Sequence, residues 1–258
     1  MPLLGLGVYD MYKAEAEQAV EDALAIGYRL IDTASMYENE VEIGNAIKNA
    51  GLDRKEIFLT TKLNNTDHGY EAALKAFDDS LKKLGQDYVD LYLIHWPIKE
   101  GRAASWKGLE KLYAEKRVKA IGVANYNITL LEELKLTANI VPAVNQIEFS
   151  PWLYQEDLLA YCKAAGIQVQ SYSPITRGLK FSDERLVLLC NKYNRTPAQI
   201  VLNWHLQHGI STIPKSSKKE RLVENFDATS FTLSNEDVKI MNGFNENFRI
   251  CDDPQTYL

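Results

Sequence analysis

The feature that most constrains this 258-residue chain is a short apolar, β-rich run that recurs eight times and alternates with helix-like segments. The strand-like runs cover residues 4–9, 29–34, 57–63, 89–95, 118–124, 143–149, 168–173 and 210–214. The helix-like segments cover residues 14–26, 40–49, 70–84, 103–115, 129–136, 156–165, 183–193 and 197–208, so two of them precede the last strand. This alternation, without a Pro/Gly/Ser-rich linker, predicts an α/β protein in which residues 1–258 form a single (β/α)8 TIM barrel domain.

The charge balance and the cysteines exclude several function classes. The chain has 29 Lys and Arg residues against 35 Asp and Glu residues, a net charge of −6, which disfavours a nucleic-acid-binding surface. No apolar stretch is long enough to span a membrane. Cys162, Cys190 and Cys251 are widely spaced and form no C-x-x-C pair, so neither a disulfide framework nor a zinc site is expected. The first ten residues do not resemble a signal peptide, and a cytoplasmic location is the expectation.

Four side chains that can exchange protons lie where predicted strands end. In such a barrel the active site is at the C-terminal rim of the strands, because the loops that follow the strands meet there. Asp32 lies in the second strand-like run and Tyr37 in the loop after it. Lys62 lies near the end of the third run and His95 at the end of the fourth. The sequence therefore predicts that all four converge on one rim.

The chemistry that these four residues predict is reduction of a carbonyl group. Asp32 and Lys62 on adjacent strands would form an ion pair shielded from water, since a buried charge needs a partner. The lysine would lower the pKa of Tyr37 and make the phenol a better proton donor near neutral pH. His95 would orient the substrate oxygen. Each residue alone has a plain structural explanation, so the prediction depends on their joint placement.

A second signal is the basic turn IPKSSKKER after the eighth strand-like run. Barrels commonly hold a phosphate at this corner, where Lys215, Ser216 and Arg221 would donate charge-assisted hydrogen bonds to an anion. A solvated basic turn is the alternative explanation. The first G-x-G lacks the third glycine of a dinucleotide fingerprint, and no Walker loop, G-x-S-x-G or H-E-x-x-H motif occurs. His205 and His208 share a predicted helix without a third ligand nearby, so no metal is expected.

The longer motifs of the chain resemble those of the aldo-keto reductases. The matching segments are GYRLIDTASMYENEVEIGNAI, LTTKL, LYLIHWP, IGVANYN, VNQIEFSPW and IPKSSKKERLVEN, in this order along essentially the whole chain. The resemblance implies a (β/α)8 barrel and NAD(P)H-dependent reduction of aldehydes and ketones. By the same match, Asp32, Tyr37, Lys62 and His95 would form the catalytic tetrad.

The resemblance also implies a set of cofactor contacts, spread over four strand ends and one helix. Around the nicotinamide they are Asn125, Gln146 and Tyr172. Along the pyrophosphate they are Ser173, Pro174, Ile175, Arg177, Gly178 and Leu179. At the 2′-phosphate they are Lys215, Ser216 and Arg221, and at the adenine Glu224 and Asn225. Because a phosphate needs cations that a free hydroxyl does not, NADPH is expected rather than NADH.

The substrate pocket is expected beside the tetrad. Tyr9, His95 and Trp96, together with the C-terminal tail over residues 244–258, would line a pocket for small carbonyl compounds such as alkylglyoxals or keto sugars. The tail and the compact loops resemble the bacterial and protozoan branch of the family, which includes 2,5-diketo-D-gluconate reductases, methylglyoxal reductases and prostaglandin F synthases. A monomer is expected by the same resemblance.

Two other function classes fit part of the sequence. A non-catalytic NADP(H)-binding barrel, acting as a redox-sensing or regulatory subunit, would use the cofactor residues without needing an intact tetrad. A phosphate-binding lyase or isomerase would use Lys62 to form a Schiff base and would explain the basic corner. That alternative leaves Asn125, Gln146 and Tyr172 without a role.

Overall fold

The computed structural model describes residues 1–257 and contains eight parallel strands that pair in sequence order. The strands are β1 (Leu6–Gly7), β2 (Leu30–Asp32), β3 (Phe58–Leu63), β4 (Val89–Ile94), β5 (Val118–Ala124), β6 (Val144–Glu148), β7 (Gln168–Tyr172) and β8 (Ser211–Thr212). The sheet closes on itself, since Gly5 N donates to Thr212 O at 2.9 Å and Thr212 N donates to Leu3 O at 2.8 Å. The predicted barrel is therefore confirmed.

Helices surround the barrel. Within residues 1–257 they are α1 (Lys13–Ile26), α2 (Glu40–Asn49), α3 (Tyr70–Leu84), α4 (Arg102–Ala114), α5 (Ile128–Lys135), α6 (Glu156–Ala164), α7 (Glu184–Tyr193), α8 (Pro197–Gln207), α9 (Lys219–Phe226) and α10 (Asn235–Asn242). The two helices predicted before the last strand are α7 and α8. Helix α10 is absent from the sequence prediction. The sequence feature that marks the start of α10 is an N-cap serine. The Ser234 hydroxyl accepts from Asp237 N at 3.1 Å.

The two strands at the barrel seam, β1 and β8, are shorter than predicted, with two residues each. Their pairing continues into the loops instead of forming a regular ladder. Gly7 N donates to Pro214 O at 3.3 Å. Pro214 has no backbone N–H, so it cannot donate a hydrogen bond that would extend the strand pairing. The seam is thus closed by backbone hydrogen bonds between residues 3–7 and residues 212–214 rather than by a long strand ladder.

The alternation of side chains along β4 separates two apolar layers. Tyr92 and Ile94 belong to the large cluster between the barrel and its helices, whereas Leu91 and Leu93 belong to a small cluster inside the barrel. The interior is so narrow that a Cβ on Gly122 would lie 2.7 Å from Leu93 Cδ2. Glycine at this position lets neighbouring backbone and side chains approach closely.

Some expected features can be checked directly on the fold. No helix in residues 1–257 is long and apolar enough to cross a membrane. In the same range, no three His, Cys, Asp or Glu side chains group closely enough to hold a metal ion. His205 is buried, with Nδ1 2.8 Å from Val201 O and Nε2 3.1 Å from Phe149 O, so it is a hydrogen-bonded core histidine. Of the predicted tail 244–258, Leu258 lies outside the described residues.

Candidate active site

The ends of three neighbouring strands bring the four predicted side chains together. Asp32 ends β2, Lys62 is the next-to-last residue of β3, and His95 directly follows β4. Tyr37 ends a short 3-10 turn after β2. Lys62 Nζ lies 2.5 Å from Asp32 Oδ1 and 3.3 Å from Tyr37 OH, and Tyr37 OH lies 3.5 Å from His95 Nε2. The predicted convergence of the four side chains is confirmed.

The ion pair between Lys62 and Asp32 is sealed from water. The lysine side chain is 0% exposed and the aspartate side chain 2%. The ammonium group has three donors, and the acceptors around it are Asp32, Tyr37 and the carbonyl oxygen of Thr33 at 3.0 Å. The second carboxylate oxygen of Asp32 accepts from Gln146 Nε2 at 2.7 Å. Each charge therefore has a full set of partners, as a buried ion pair requires.

Burial and Lys62 act in opposite directions on the Tyr37 phenol. Burial raises the pKa of Tyr37, the charge of Lys62 lowers it, and the net direction is upward. The prediction that Lys62 brings the pKa of Tyr37 below its usual value is therefore wrong. The sequence reveals the cation but not the loss of water around the hydroxyl. With its pKa raised, Tyr37 carries its proton at neutral pH, so the proton is available for transfer to a substrate.

Burial and neighbouring charges also shift the pKa values of His95, Lys62 and Asp32. Burial lowers the pKa of His95 well below its usual 6.5, and Lys62 acts in the same direction, so the imidazole is neutral. Burial also lowers the pKa of Lys62, but Asp32 and Tyr37 raise it by more, which keeps the amine charged. Burial raises the pKa of Asp32 by more than Lys62 and Gln146 lower it, so the net direction is upward. The site thus combines a neutral acid, a neutral imidazole and one compensated charge pair.

A line of polar side chains runs from the ion pair across the inside of the barrel. Gln146 Nε2 donates to Asp32 Oδ2 and to Gln170 Oε1, both at 2.7 Å. Gln170 Nε2 continues to Ser211 Oγ at 3.3 Å. Sequence reasoning misses Gln170. The sequence feature that could have indicated Gln170 is a glutamine in the middle of a buried strand. A buried amide has to find hydrogen-bond partners.

Of the predicted nicotinamide residues, Asn125 directly follows β5, Gln146 lies in the middle of β6 and Tyr172 ends β7. Tyr172 is half-buried, and its hydroxyl donates to Asn125 Oδ1 at 2.8 Å. Asn125 Nδ2 donates to the carbonyl oxygen of His95 at 2.9 Å, which ties these strand ends to the proton-active cluster. Gln146 uses its amide nitrogen on Asp32 and Gln170, so its Oε1 is the atom left to accept a bond from an amide ligand.

The loop after β7, predicted to follow a pyrophosphate, has an unusual backbone. Ser173 and Arg177 have φ values of 49° and 52°, in the left-handed region that few non-glycine residues occupy. Pro174 is buried, Ile175 and Gly178 are half-buried, and Arg177 and Leu179 are exposed. Residues in sparsely populated conformations persist only where their surroundings hold them, and they cluster at ligand sites.

The basic corner after β8 presents several exposed cations, and two of them are predicted phosphate contacts. Lys215 lies in the loop and Arg221 in the first turn of α9, and within residues 1–257 neither forms an ion pair. Ser216 is 7% exposed, and its hydroxyl accepts from Lys218 N at 3.2 Å. Cations without carboxylate partners fit a phosphate group. On the same helix Glu224 is half-buried and Asn225 is buried.

Aromatic side chains flank the four-residue cluster on the side where the substrate pocket is predicted. Tyr9 is 54% exposed, and its ring meets the Tyr37 ring edge-on at 5.2 Å between centroids. Trp96 is half-buried and stacks on Tyr257 of the C-terminal tail at 5.3 Å. Tyr9 and Trp96 therefore lie beside the cluster, and the tail reaches the loop that carries His95.

Two residues that sequence reasoning misses fasten the tail to the barrel. Glu148 accepts from Ile250 N at 2.7 Å and from Cys251 N at 3.0 Å, and Arg102 Nη1 donates to Tyr257 O at 2.9 Å. Between these anchors the tail covers a cavity of about 310 Å³. A sequence signal for Glu148 is a carboxylate at the end of a buried strand, because a buried carboxylate needs hydrogen-bond donors.

Comparison with known proteins gives relatives over the whole chain. Residues 4–246 match the Aldo/keto reductase family. The chain is 46% identical over 259 residues to the glyoxal reductase of Bacillus subtilis (strain 168), covering 100% of this chain and 94% of that protein. It is 42% identical over 261 residues to the methylglyoxal reductase DkgA of Escherichia coli (strain K12), with coverage of 100% and 94%. The predicted branch of the family is confirmed.

Solved structures are similar over nearly the same length. MGS-M4, an aldo-keto reductase enzyme from a Medee basin deep-sea metagenome library, has a TM-score of 0.96 and 44% identity, covering 98% of this chain and 94% of that one. A mutant of Gox0644 in complex with NADPH has a TM-score of 0.94 and 39% identity, covering 99% of this chain and 94% of that one. On the family match, these identities and the shared barrel, the chain belongs to the aldo/keto reductase family and is an oxidoreductase.

Proposed function

We propose that the protein reduces aldehydes and ketones to alcohols with NADPH, and that its substrates are small carbonyl compounds such as alkylglyoxals or keto sugars. The observation that carries the proposal is the position of Lys62 Nζ, 2.5 Å from Asp32 and 3.3 Å from the Tyr37 hydroxyl, in a water-shielded site. The names of the relatives, glyoxal reductase and methylglyoxal reductase, support the substrate class. The NADPH in the Gox0644 complex supports the cofactor.

The donors and acceptors of the rim fit this cofactor. When bound, a reduced nicotinamide supplies a hydride to the carbonyl carbon. Gln146 would accept from its carboxamide through the open Oε1, beside Asn125, and Tyr172 offers a half-buried ring to stack on. Lys215, Ser216 and Arg221 would hold the 2′-phosphate, which favours NADPH over NADH because the two cations lack other partners. The remaining proposed contacts are the loop residues Ser173, Pro174, Ile175, Arg177, Gly178 and Leu179 and the adenine contacts Glu224 and Asn225.

Tyr37 is the general acid of the proposed reaction. It gives its phenolic proton to the carbonyl oxygen as negative charge develops there, and the resulting phenolate lies beside the Lys62 ammonium group. Asp32 holds Lys62 in place and keeps it charged. The neutral His95, 3.5 Å from the Tyr37 hydroxyl, orients the oxygen through Nε2. Tyr9, Trp96 and the tail would enclose the rest of the substrate.

The same geometry argues against a Schiff-base mechanism. A lysine attacks a carbonyl only as the neutral amine. The pKa of Lys62 is raised, and its three donors face Asp32, Thr33 and Tyr37. An ammonium group in this state has no free lone pair with which to attack a carbonyl carbon.

The proposal is tested by replacing Tyr37 with phenylalanine, which removes only the hydroxyl. We expect kcat with methylglyoxal to fall by about 10²- to 10⁴-fold, the usual contribution of a general acid. The dissociation constant of NADPH, measured by fluorescence titration, should stay close to the parent value. Tyr113→Phe, at a tyrosine of α4 that is 42% exposed, is the matched control and should retain activity.

Two outcomes would contradict the proposal in different ways. Near-normal turnover by Tyr37→Phe would remove the tyrosine from the reaction. If the unmodified protein bound NADPH but consumed none of it with any carbonyl compound, the non-catalytic NADP(H)-binding barrel would become the better account.

A further inference from the structure

Three polar side chains lie side by side on the inner face of the barrel, on β6, β7 and β8. In the parallel register Gln146 pairs with Gln170, and Gln170 pairs with Ser211. Residues paired in this way point to the same face of a sheet, and all three are buried. Two amides and a hydroxyl are stable in a barrel interior only when each of them is hydrogen-bonded, so their bonds indicate what the row does.

The hydrogen bonds of this row determine which way the Gln170 amide is turned. The Ser211 hydroxyl donates to Pro2 O at 3.0 Å, which leaves its oxygen to act as an acceptor. Gln170 Nε2 donates to that oxygen at 3.3 Å. Because the amide nitrogen is held on the Ser211 side, Gln170 Oε1 is turned towards Gln146 and accepts from its Nε2 at 2.7 Å.

Two acceptors fix the amide of Gln146. Its Nε2 carries two N–H groups, and it donates to Asp32 Oδ2 and to Gln170 Oε1, both at 2.7 Å. A bond to Asp32 alone would let the amide rotate, because the last torsion of a glutamine side chain is broad. The second bond from the same nitrogen fixes the plane of the amide. Turning the amide over would bring its Oε1 against two other acceptors, which is unfavourable.

The atom that this arrangement leaves for a ligand is Gln146 Oε1, which accepts no hydrogen bond within residues 1–257. Asn125, the other proposed contact of the nicotinamide carboxamide, is tied to the same residue, because Asn125 N donates to Gln146 O at 2.8 Å. The position of Gln146 therefore affects both proposed carboxamide contacts. Gln170 is 0% exposed and can act on a cofactor only through Gln146.

We infer that Gln170 is a positioning residue for the nicotinamide, because it holds the Gln146 amide with Oε1 free to accept from the carboxamide NH2 group. This inference rests on the proposed function and adds a residue to it. Without Gln170, Gln146 would keep its bond to Asp32 but would adopt other orientations as well. The apparent affinity for the cofactor would then fall with the fraction of molecules in which Oε1 is correctly oriented.

The experiment compares the binding of NADP+ with that of its 3-acetylpyridine analogue. The analogue has a methyl group in place of the carboxamide NH2, so it cannot donate to Gln146. Dissociation constants are measured by titrating the tryptophan fluorescence of the purified protein. We expect the parent protein to bind NADP+ about tenfold more tightly than the analogue, the effect of one hydrogen bond. In Gln170→Met, which has a similar size but no amide, this ratio should fall to about twofold.

A cofactor fragment and two further variants separate positioning from a loss of folding. The fragment 2′-phospho-ADP-ribose lacks the nicotinamide, so its dissociation constant should be the same in the parent protein and in Gln170→Met. Ser211→Ala removes the acceptor of Gln170 Nε2 and should lower the ratio by about twofold. Gln168→Met makes the same change at the start of β7, where the side chain donates to Gly209 O at 2.8 Å, and should leave the ratio unchanged.

Each outcome counts for or against the inference. The same ratio in Gln170→Met as in the parent protein would overturn the positioning role while leaving the proposed function intact. Equal weakening of NADP+ and of the fragment would show that Gln170 acts only through the fold, and would overturn it too. If Gln170→Met does not fold, an unchanged ratio in Ser211→Ala contradicts the inference. If the parent protein binds neither NADP+ nor the analogue, the proposed function is contradicted and the inference falls with it.

Discussion

Two buried aspartates form ion pairs at opposite ends of the barrel. At the C-terminal rim, Asp32 pairs with Lys62, and neither side chain reaches water. At the N-terminal end, Asp90, near the start of β4, pairs with Arg54 and Lys119, each at 2.8 Å. There the cations are 19% and 52% exposed.

The surroundings of the two pairs explain their different uses. Asp90 also accepts from Leu59 N at 3.0 Å, and both of its cations lie over the Tyr88 ring at 4.2 and 4.4 Å. These partners lie at or shortly before the starts of β3, β4 and β5. The cluster therefore fastens three strands together. In the proposed reaction, the Lys62 pair instead holds the Tyr37 hydroxyl that gives its proton to the substrate. An ion pair contributes to chemistry where a third, titratable group shares it away from water.

The largest effect that tests this contrast is expected from Lys62→Met. The variant removes the cation beside Tyr37 and should lower kcat/KM by about 10³-fold, because the phenolate formed after proton transfer loses its neighbouring charge. Lys119→Met, which removes a cation from the other end of the barrel, should keep kcat/KM within about twofold, because an exposed charge so far from the reaction contributes little. Steady-state kinetics of both variants with the same neutral aldehyde provide the measurement.

A double variant guards against simple unfolding. Lys62→Met alone leaves Asp32 buried without a countercharge, which costs stability. Adding Asp32→Asn removes that unpaired charge, so the midpoint of urea unfolding should recover while activity stays low. Recovery of activity along with stability would show that Lys62 acts only through the fold.

Asp90→Asn is expected to have a smaller effect, and to change stability rather than activity. One of its donors, Arg54, Leu59 N or Lys119, would then face an amide N–H, and the free energy of unfolding should fall by about 2 kcal/mol. The kcat/KM of the folded variant should stay at the parent value. A loss of activity that exceeds the unfolded fraction would link the two ends of the barrel and contradict the contrast.

How much of the site could be predicted follows from the range of the interactions. A charged residue inside each of two apolar runs has to be paired, so the contact between Asp32 and Lys62 could be predicted from the strand order alone. The bond from Gln146 to Asp32 joins residues 114 apart in the sequence, on strands that face each other across the barrel, and no local pattern indicates it. The pKa direction of Tyr37 could not be predicted for a related reason, since burial is a property of the packed site.

In the fold, too, local patterns predict some elements, whereas elements that depend on distant parts of the chain are not predicted. Helices α3 and α2 match their predicted bounds, because a complete apolar face marks their length. The seam strands β1 and β8 do not, because their ends depend on closure between the first and last parts of the chain. Helix α10 is short and is signalled by the cap at Ser234 rather than by its apolar pattern.

The smallest expected effect is the response of the reaction to pH. The pKa of His95 lies well below 6.5, and the pKa values of Tyr37 and Lys62 lie above their usual 10.0 and 10.5. These three groups therefore keep one charge state from about pH 6 to pH 8, and kcat/KM for a neutral aldehyde should vary by less than about twofold in this range. His95→Gln, with a side chain that cannot titrate, should be less active but have the same flat profile. An inflection near pH 6.5 in the parent protein that disappears in this variant would mean that the histidine gains a proton there. That result would contradict the neutral imidazole at this end of the barrel, because burial beside Lys62 would then not be strong enough to keep the proton away.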